Sequence, residues 1–291
     1  MMNEQVIVGC GYVGTRLARQ YRDQGEAVTG IVRSDAGVAR LEQQGIKGLR
    51  CELAADDLSD LGLAEALVFH FAPPPGSGVQ DPHTRHLVDA FERYGDPRRV
   101  VYISTTGVYG DCAGQWIDET HPVQPVADRS RRRRDAEETL LGWSLASGRD
   151  LVILRVAGIY GPGRLPLERI RAGTPMVRPQ QSPYTNRIHV DDLVTVCIAA
   201  MERAPSGAVY NACDGHPSTM TDYFSDVAAA AGLPSPPLIG LEEAADRLSE
   251  GMLSYLSESR RLRNDRLRDE LGVVFRYPSL ADGLRAIFRP E

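Results

Sequence analysis

Short apolar runs of β-branched and aliphatic residues recur through the first half of the chain, each followed by a stretch with helical periodicity. "QVIVGC" (5–10) predicts a strand that runs at once into glycines, and "YVGTRLARQYRD" after it sets Val13, Leu17, Ala18 and Tyr21 on one helical face. "AVTGIVR" (27–33), "KGLRCEL", "ALVFHFA" and "RRVVYIS" predict strands two to five, with "VARLEQQ" and other helix-like stretches between them. "DLVILRVAGIYG" (150–161) predicts one long sixth strand, and "GAVYNAC" (207–213) a short seventh. Strands that are apolar throughout and alternate with helices imply a parallel sheet covered on both faces. The expectation is a doubly wound α/β fold of about seven strands in the order 3-2-1-4-5-6-7.

After Gly161 the texture changes. "GPGRLPLERIRAGTPMVRPQQSPYTNR" is rich in Pro and Gly and predicts mostly loop, whereas "VDDLVTVCIAAMERA" (190–204) predicts a helix capped by Asp191 or Asp192. The remainder is helical with Pro-rich breaks such as "PSPP". The expected division is a sheet domain of residues 1–163 plus 186–213, and a smaller substrate-binding lobe of 164–185 plus 214–291.

Composition sharpens this reading. The 291 residues are 42% hydrophobic and 25% charged, with a net charge of −6, which argues against nucleic acid or an anionic membrane as the main partner. Thirty-two of the 33 basic residues are arginine, and Lys47 is the single lysine. Five cysteines, with no pair at C-x-x-C spacing, suggest neither a disulfide framework nor a zinc site, so no metal is expected. The N-terminus lacks the pattern of a signal peptide and no run is long enough to span a membrane, so a cytoplasmic location is expected.

Gly9-x-Gly11-x-x-Gly14 stands between the first strand and the first helix. That context makes it a dinucleotide-binding loop of a Rossmann-like fold: Gly9 for the turn, Gly11 for close approach of a pyrophosphate, Gly14 for helix–strand packing. Tyr12 and Val13 supply the helix-start N–H groups beside the phosphates. The second strand ends "GIVRSD", where Arg33 suits a 2′-phosphate and Ser34 offers a second donor, which favours NADP. Asp35 could reach back to a ribose hydroxyl, and keeps NAD open.

With these motifs in order, the chain resembles the extended short-chain dehydrogenase/reductases, the NAD-dependent epimerase/dehydratases, and within them an atypical branch carrying G-x-G-x-x-G. "VVYISTTGVYG" (100–110), "LVILRVAGIYGPG" (151–163), "NRIHVDDLV" (186–194) and "YNACDG" (210–215) are similar to successive family segments. The resemblance implies that Thr105, or Thr106 if the loop shifts by one, is the hydroxyl that binds the reacting oxygen. It implies that Phe71, Ala72, Arg155, Ala157 and His189 border the cofactor, with His70 at the end of the fourth strand. Tyr109 stands as a third catalytic candidate. The implied substrate is a small molecule, a nucleotide sugar or a related carbonyl or alcohol compound; a homodimer stays open.

The family's acid–base pair is a tyrosine four residues before a lysine on the helix after the fifth strand. Aligned on Glu137 in "AEETLL", those positions are Arg129 and Arg133 of "DRSRRRRDAEETL". Arg133 alone could turn inward, where its fork could still bind ribose hydroxyls or a phosphate. Five arginines face four acids between Asp128 and Glu138, and Arg131–Asp135, Arg133–Glu137 and Arg134–Glu138 stand at i, i+4, so the expectation is an internally paired, solvated face. Substitute acids would be Tyr109, Tyr160, Tyr184, His70 or His189. The alternatives are an NAD(P)-dependent oxidoreductase or epimerase with a non-standard active site, and a catalytically silent dinucleotide-binding sensor or scaffold.

Overall fold

The computed structural model describes residues 4–289. Seven strands form the central sheet: β1 (Gln5–Val8), β2 (Val28–Val32), β3 (Lys47–Arg50), β4 (Leu67–His70), β5 (Arg99–Thr105), β6 (Asp150–Val156) and β7 (Ala208–Ala212). All pairings are parallel, in the predicted order β3-β2-β1-β4-β5-β6-β7. Helices α1 (Tyr12–Asp23), α2 (Asp35–Glu42), α3 (Pro82–Tyr94), α4 (Asp128–Ser147), α5 (Val190–Arg203) and α6 (Met220–Ala230) follow in chain order.

Two cores clothe the sheet. Leu17 and Tyr21 of α1 pack with Leu193, Val196 and Cys197 of α5 on one face, and Leu87 and Phe91 of α3 with Leu140 and Trp143 of α4 on the other. A third core, including Met176, Met220, Phe224 and Met252, lies in the C-terminal part. Leu267 and Leu271, late in the chain, pack back in the sheet's α1–α5 core.

Two sequence expectations are refined and one is corrected. The sixth strand is not continuous: β6 ends at Val156, and Gly158–Tyr160 pairs instead with Arg187–His189 as a separate parallel ribbon. Gly158 permits that crossing, since a Cβ there would stand 3.0 Å from the Arg187 guanidinium. The loop after Gly161 contains a short helix, Leu167–Arg171, and a two-residue strand, Met176–Val177. The cap of α5 is His189, whose Nδ1 accepts the Asp191 N–H at 3.2 Å; Asp192 instead accepts the N–H groups of Arg276 and Tyr277.

All five cysteines are buried and free. Among the described residues no helix is long and apolar enough to cross a membrane, and no cluster of three or more His, Cys, Asp or Glu could hold a metal.

Candidate active site

Two cavities open where the strands end, and both touch Pro74, Pro75 and Gly76 of the loop after β4. The smaller, about 340 Å³, lies over β1–β3 and is lined by Gly9, Gly11, Arg33, Ser34, Arg40, Glu52 and Ala72. The larger, about 530 Å³, lies over β5 and β6 against α4 and the C-terminal part.

The glycine loop fits a pyrophosphate on its own geometry. Gly9 holds φ +87°, and a Cβ on it would come within 2.4 Å of the Ala72 nitrogen, so the turn after β1 passes the backbone after β4 with no room for a side chain. A Cβ on Gly14 would meet Ile7 Cγ2 at 2.9 Å, which seats α1 on β1. A Cβ on Gly11 would meet nothing nearer than Gly9 O at 3.9 Å; that side is open to a ligand. The first-turn N–H groups of α1 have no partner within the helix, and no acid stands in that turn to neutralise its positive end. Val13 is buried and offers its backbone, while the Tyr12 hydroxyl donates to Pro162 O at 3.0 Å. Phe71 packs inward in the core.

At the far end, Ser34 caps α2 by accepting the Gly37 N–H at 3.2 Å. Arg33 and Arg40 both line the cavity, and neither forms an ion pair among the described residues. Asp35 turns away toward Arg50, 3.7 Å off. Arg40 escaped the sequence reading, although Gly37 and Arg40, three apart, share a face of α2.

In the larger cavity, Thr105 ends β5 and Thr106 opens the turn after it, and Thr105 Oγ1 accepts the Gly107 N–H at 3.2 Å. Facing them is α4, which contains neither tyrosine nor lysine. The paired, solvated face expected of its arginines forms only in part: Arg131 pairs with Asp128, and Arg134 with Glu137 and Glu138. Of the three i, i+4 pairs only Arg134–Glu138 is made, at 2.7 Å. Arg85 takes Asp135, and Arg155 takes Glu137. The reason is that α4 packs between α3 and the sheet, so its acids are drawn to partners on those elements. Arg129, Arg132 and Arg133 turn into the cavity instead. Arg133 donates to Ile103 O at 2.8 Å and lies 3.3 Å from the Tyr102 hydroxyl, Arg132 donates to Gly78 O, and Arg129 donates to Ser254 and approaches Glu258 at 3.9 Å.

Other sequence candidates stand elsewhere. Arg155 is buried below the cavity floor in its pair with Glu137, its guanidinium 4.9 Å from the Tyr109 ring centre. Tyr109 is buried, donates to Asn211 Oδ1 at 2.8 Å, and burial pushes its hydroxyl up to about 12. His70 is enclosed, 2.8 Å from Thr84 Oγ1, and burial pushes it down to about 3. His189 is pushed down to about 4, first by burial, and lies edge-on to the buried Tyr160. Of the five substitute acids, Tyr184 alone lines the larger cavity; Ala157 lines it too.

Tyr255, Glu258 and Arg260 complete the wall and carried no sequence signal. Pairing of Arg261–Leu262 with Trp116–Ile117 brings them in, and Arg260 donates to Gly110 O and Thr106 O while pairing with Glu258.

Relatives place this geometry. Protein YeeZ of Escherichia coli K12 is 31% identical over 288 residues, covering 95% of this chain and 97% of its own. The structure of a functionally unknown conserved protein from Silicibacter pomeroyi is 34% identical, with a TM-score of 0.84 over 98% of each chain. That of MoeE5 in complex with UDP-glucose and NAD shares the fold at 22% identity, with a TM-score of 0.77 over 98% of this chain and 97% of that one. The model of the NAD dependent epimerase/dehydratase family matches residues 6–213, and the chain belongs to that family.

Proposed function

We propose that this chain binds NADP along the strand ends and catalyses hydride transfer between it and a small carbonyl or alcohol substrate in the larger cavity. The observation that carries the reading is the junction at Pro74–Gly76 of a glycine-cradled cavity with one that both Thr105 and Arg133 line. A fold relative in complex with UDP-glucose and NAD supports a dinucleotide cofactor and a nucleotide sugar as one substrate class.

Gly9, Gly11 and the backbone of Tyr12 and Val13 would hold the pyrophosphate, Arg33, Ser34 and Arg40 the adenosine ribose end, and Ala72, Ala157 and Arg133 the opposite end. Two arginines without carboxylate partners at the ribose end favour a 2′-phosphate over a hydroxyl. Arg155 and His189 support the site from beneath, by fixing α4 and the start of α5. When bound, the nicotinamide supplies or accepts the hydride. Thr105 orients the reacting oxygen. Arginine cannot serve as the acid, because its pKa stays above about 12. The side chains of the cavity able to exchange a proton are Tyr184, Tyr255 and Glu258. A positioned acid is worth about 10²–10⁴-fold, so turnover of ordinary nucleotide-sugar substrates is expected to be slow.

Absence of tyrosine and lysine from α4 favours a second reading, a catalytically silent dinucleotide-binding sensor or scaffold. Following nicotinamide absorbance against a panel of nucleotide sugars and small keto and hydroxy acids separates the two. Turnover supports the enzyme; saturable cofactor binding with no turnover of any panel member supports the sensor.

A further inference from the structure

Six arginines line the larger cavity, Arg129, Arg132, Arg133, Arg164, Arg187 and Arg260, against one carboxylate, Glu258. Glu258 pairs with Arg260 and is shared with Arg129 at 3.9 Å. The other four form no ion pair among the described residues. Arg132 meets Gly78 O, Arg133 meets Ile103 O and the Tyr102 hydroxyl, Arg164 lies over the Tyr12 ring, and Arg187 meets Asn186 O and the Tyr223 ring. These acceptors satisfy hydrogens and leave the charge, which at Arg187 is offset in part by Asp214. Arg132 is the sharpest case: it is 7% exposed and its Nε has no hydrogen-bond partner. A buried guanidinium with a free donor and no counter-charge is costly. Arg129, Arg132 and Arg133 also stand at i, i+3 and i+4, so one helix face holds three like charges that repel.

An oxyanion removes both costs, because the guanidinium fork matches carboxylate and phosphate oxygens. The cavity continues past Gly158, Arg164, Arg187 and Tyr255 into a second space of about 850 Å³ whose walls include Phe224, Met252 and Phe288. Glu168, Arg169 and Arg171 stand on those walls too, so both spaces carry charge, and the end that holds Arg129, Arg132 and Arg133 is the one shared with Thr105. We infer that Arg129 and Arg132, beside the Arg133 that serves the cofactor, form an oxyanion subsite at the reacting end. The substrate is then a carbonyl or alcohol compound with a carboxylate or phosphate close to the carbon that exchanges hydride. This rests on the oxidoreductase reading above and narrows its substrate class.

The test is calorimetric titration of the NADP-saturated full chain with inorganic phosphate and with malonate, at constant ionic strength held with chloride. The subsite predicts saturable binding of at least one probe, and the tighter of the two names the head group. Arg132→Ala and Arg129→Ala should each weaken it about tenfold or more, Arg132→Lys should recover part of the loss, and Arg268→Ala, exposed and outside both cavities, should change nothing. Retained NADP binding by the variants shows that they fold. Probe affinity equal in wild type and Arg132→Ala overturns the inference, as does displacement of the probe by NADP, which would give these arginines to the cofactor's phosphates. Should NADP itself not bind, the cofactor reading falls, and the same titration of the cofactor-free chain still decides the subsite.

Discussion

Arg155 of β6 and Glu137 of α4 form a doubly hydrogen-bonded ion pair at 2.9 and 3.2 Å, with both side chains almost wholly buried. Ser104, the residue before Thr105, donates to the same carboxylate. One buried acid thus ties the ends of β5 and β6 to the helix that carries Arg129, Arg132 and Arg133. Removing one partner strands a buried charge: Arg155→Met is expected to cost about 3–5 kcal/mol. The double variant Arg155→Met with Glu137→Leu should cost less than either single change. Urea midpoints for the three proteins decide it, and a double variant as unstable as the sum of the singles would contradict this account of the pair.

The glycines of the loop separate fold from binding. Gly9→Ala forces a side chain into φ +87° and against the Ala72 backbone, so it should lower stability by at least about 1–2 kcal/mol. Gly11→Ala meets only Gly9 O, at 3.9 Å, so it should cost less stability and yet abolish tight cofactor binding by filling the cradle. Thermal melts with a cofactor titration check both; a Gly11→Ala protein that binds NADP like wild type would move the pyrophosphate elsewhere.

Much of this was legible in the chain. The seven strands announce themselves because a sheet covered on both faces needs unbroken apolar runs, and the glycine spacing reports a backbone requirement that no other residue meets. The arginine helix was misread because the usual cue fails there. A helix lining a polar cavity carries charge on its inner side as well as its outer one, so Arg129 and Arg132, unlike Arg133, look like the solvated Arg131 and Arg134. The break at Ala157 was hidden because Gly158–Tyr160 continues the apolar run of β6 while pairing in another ribbon. Glu258 and Arg260 reach the site by pairing across about 145 residues of chain, between Trp116–Ile117 and Arg261–Leu262, which no local pattern encodes.

Asp214, just past β7, should give stability a pH signature. Burial raises its carboxyl from 3.8 to about 6, and its Oδ2 has no hydrogen-bond partner. A carboxyl raised in the folded state favours folding while protonated, so its contribution is full below the unfolded value of 3.8 and is lost as pH rises to about 6. Asp214→Asn keeps an oxygen for the His216 N–H and cannot ionise. It should therefore raise the melting temperature above pH 6 and change it little below pH 4. An equal shift at both ends of the pH range would show that the acid is not strained by its charge.

The central claim is that the cavity over β1–β3 holds NADP through Arg33 and Arg40, and the most direct measurement is calorimetric titration of NADP and NAD into the wild type, Arg33→Asp and Arg40→Asp. The account predicts that the wild type prefers NADP by about tenfold or more, since two unpaired guanidiniums gain charge-assisted bonds to the 2′-phosphate. It predicts that each variant loses NADP affinity far more than NAD affinity. Equal losses for the two nucleotides, or a wild type that prefers NAD, would contradict it.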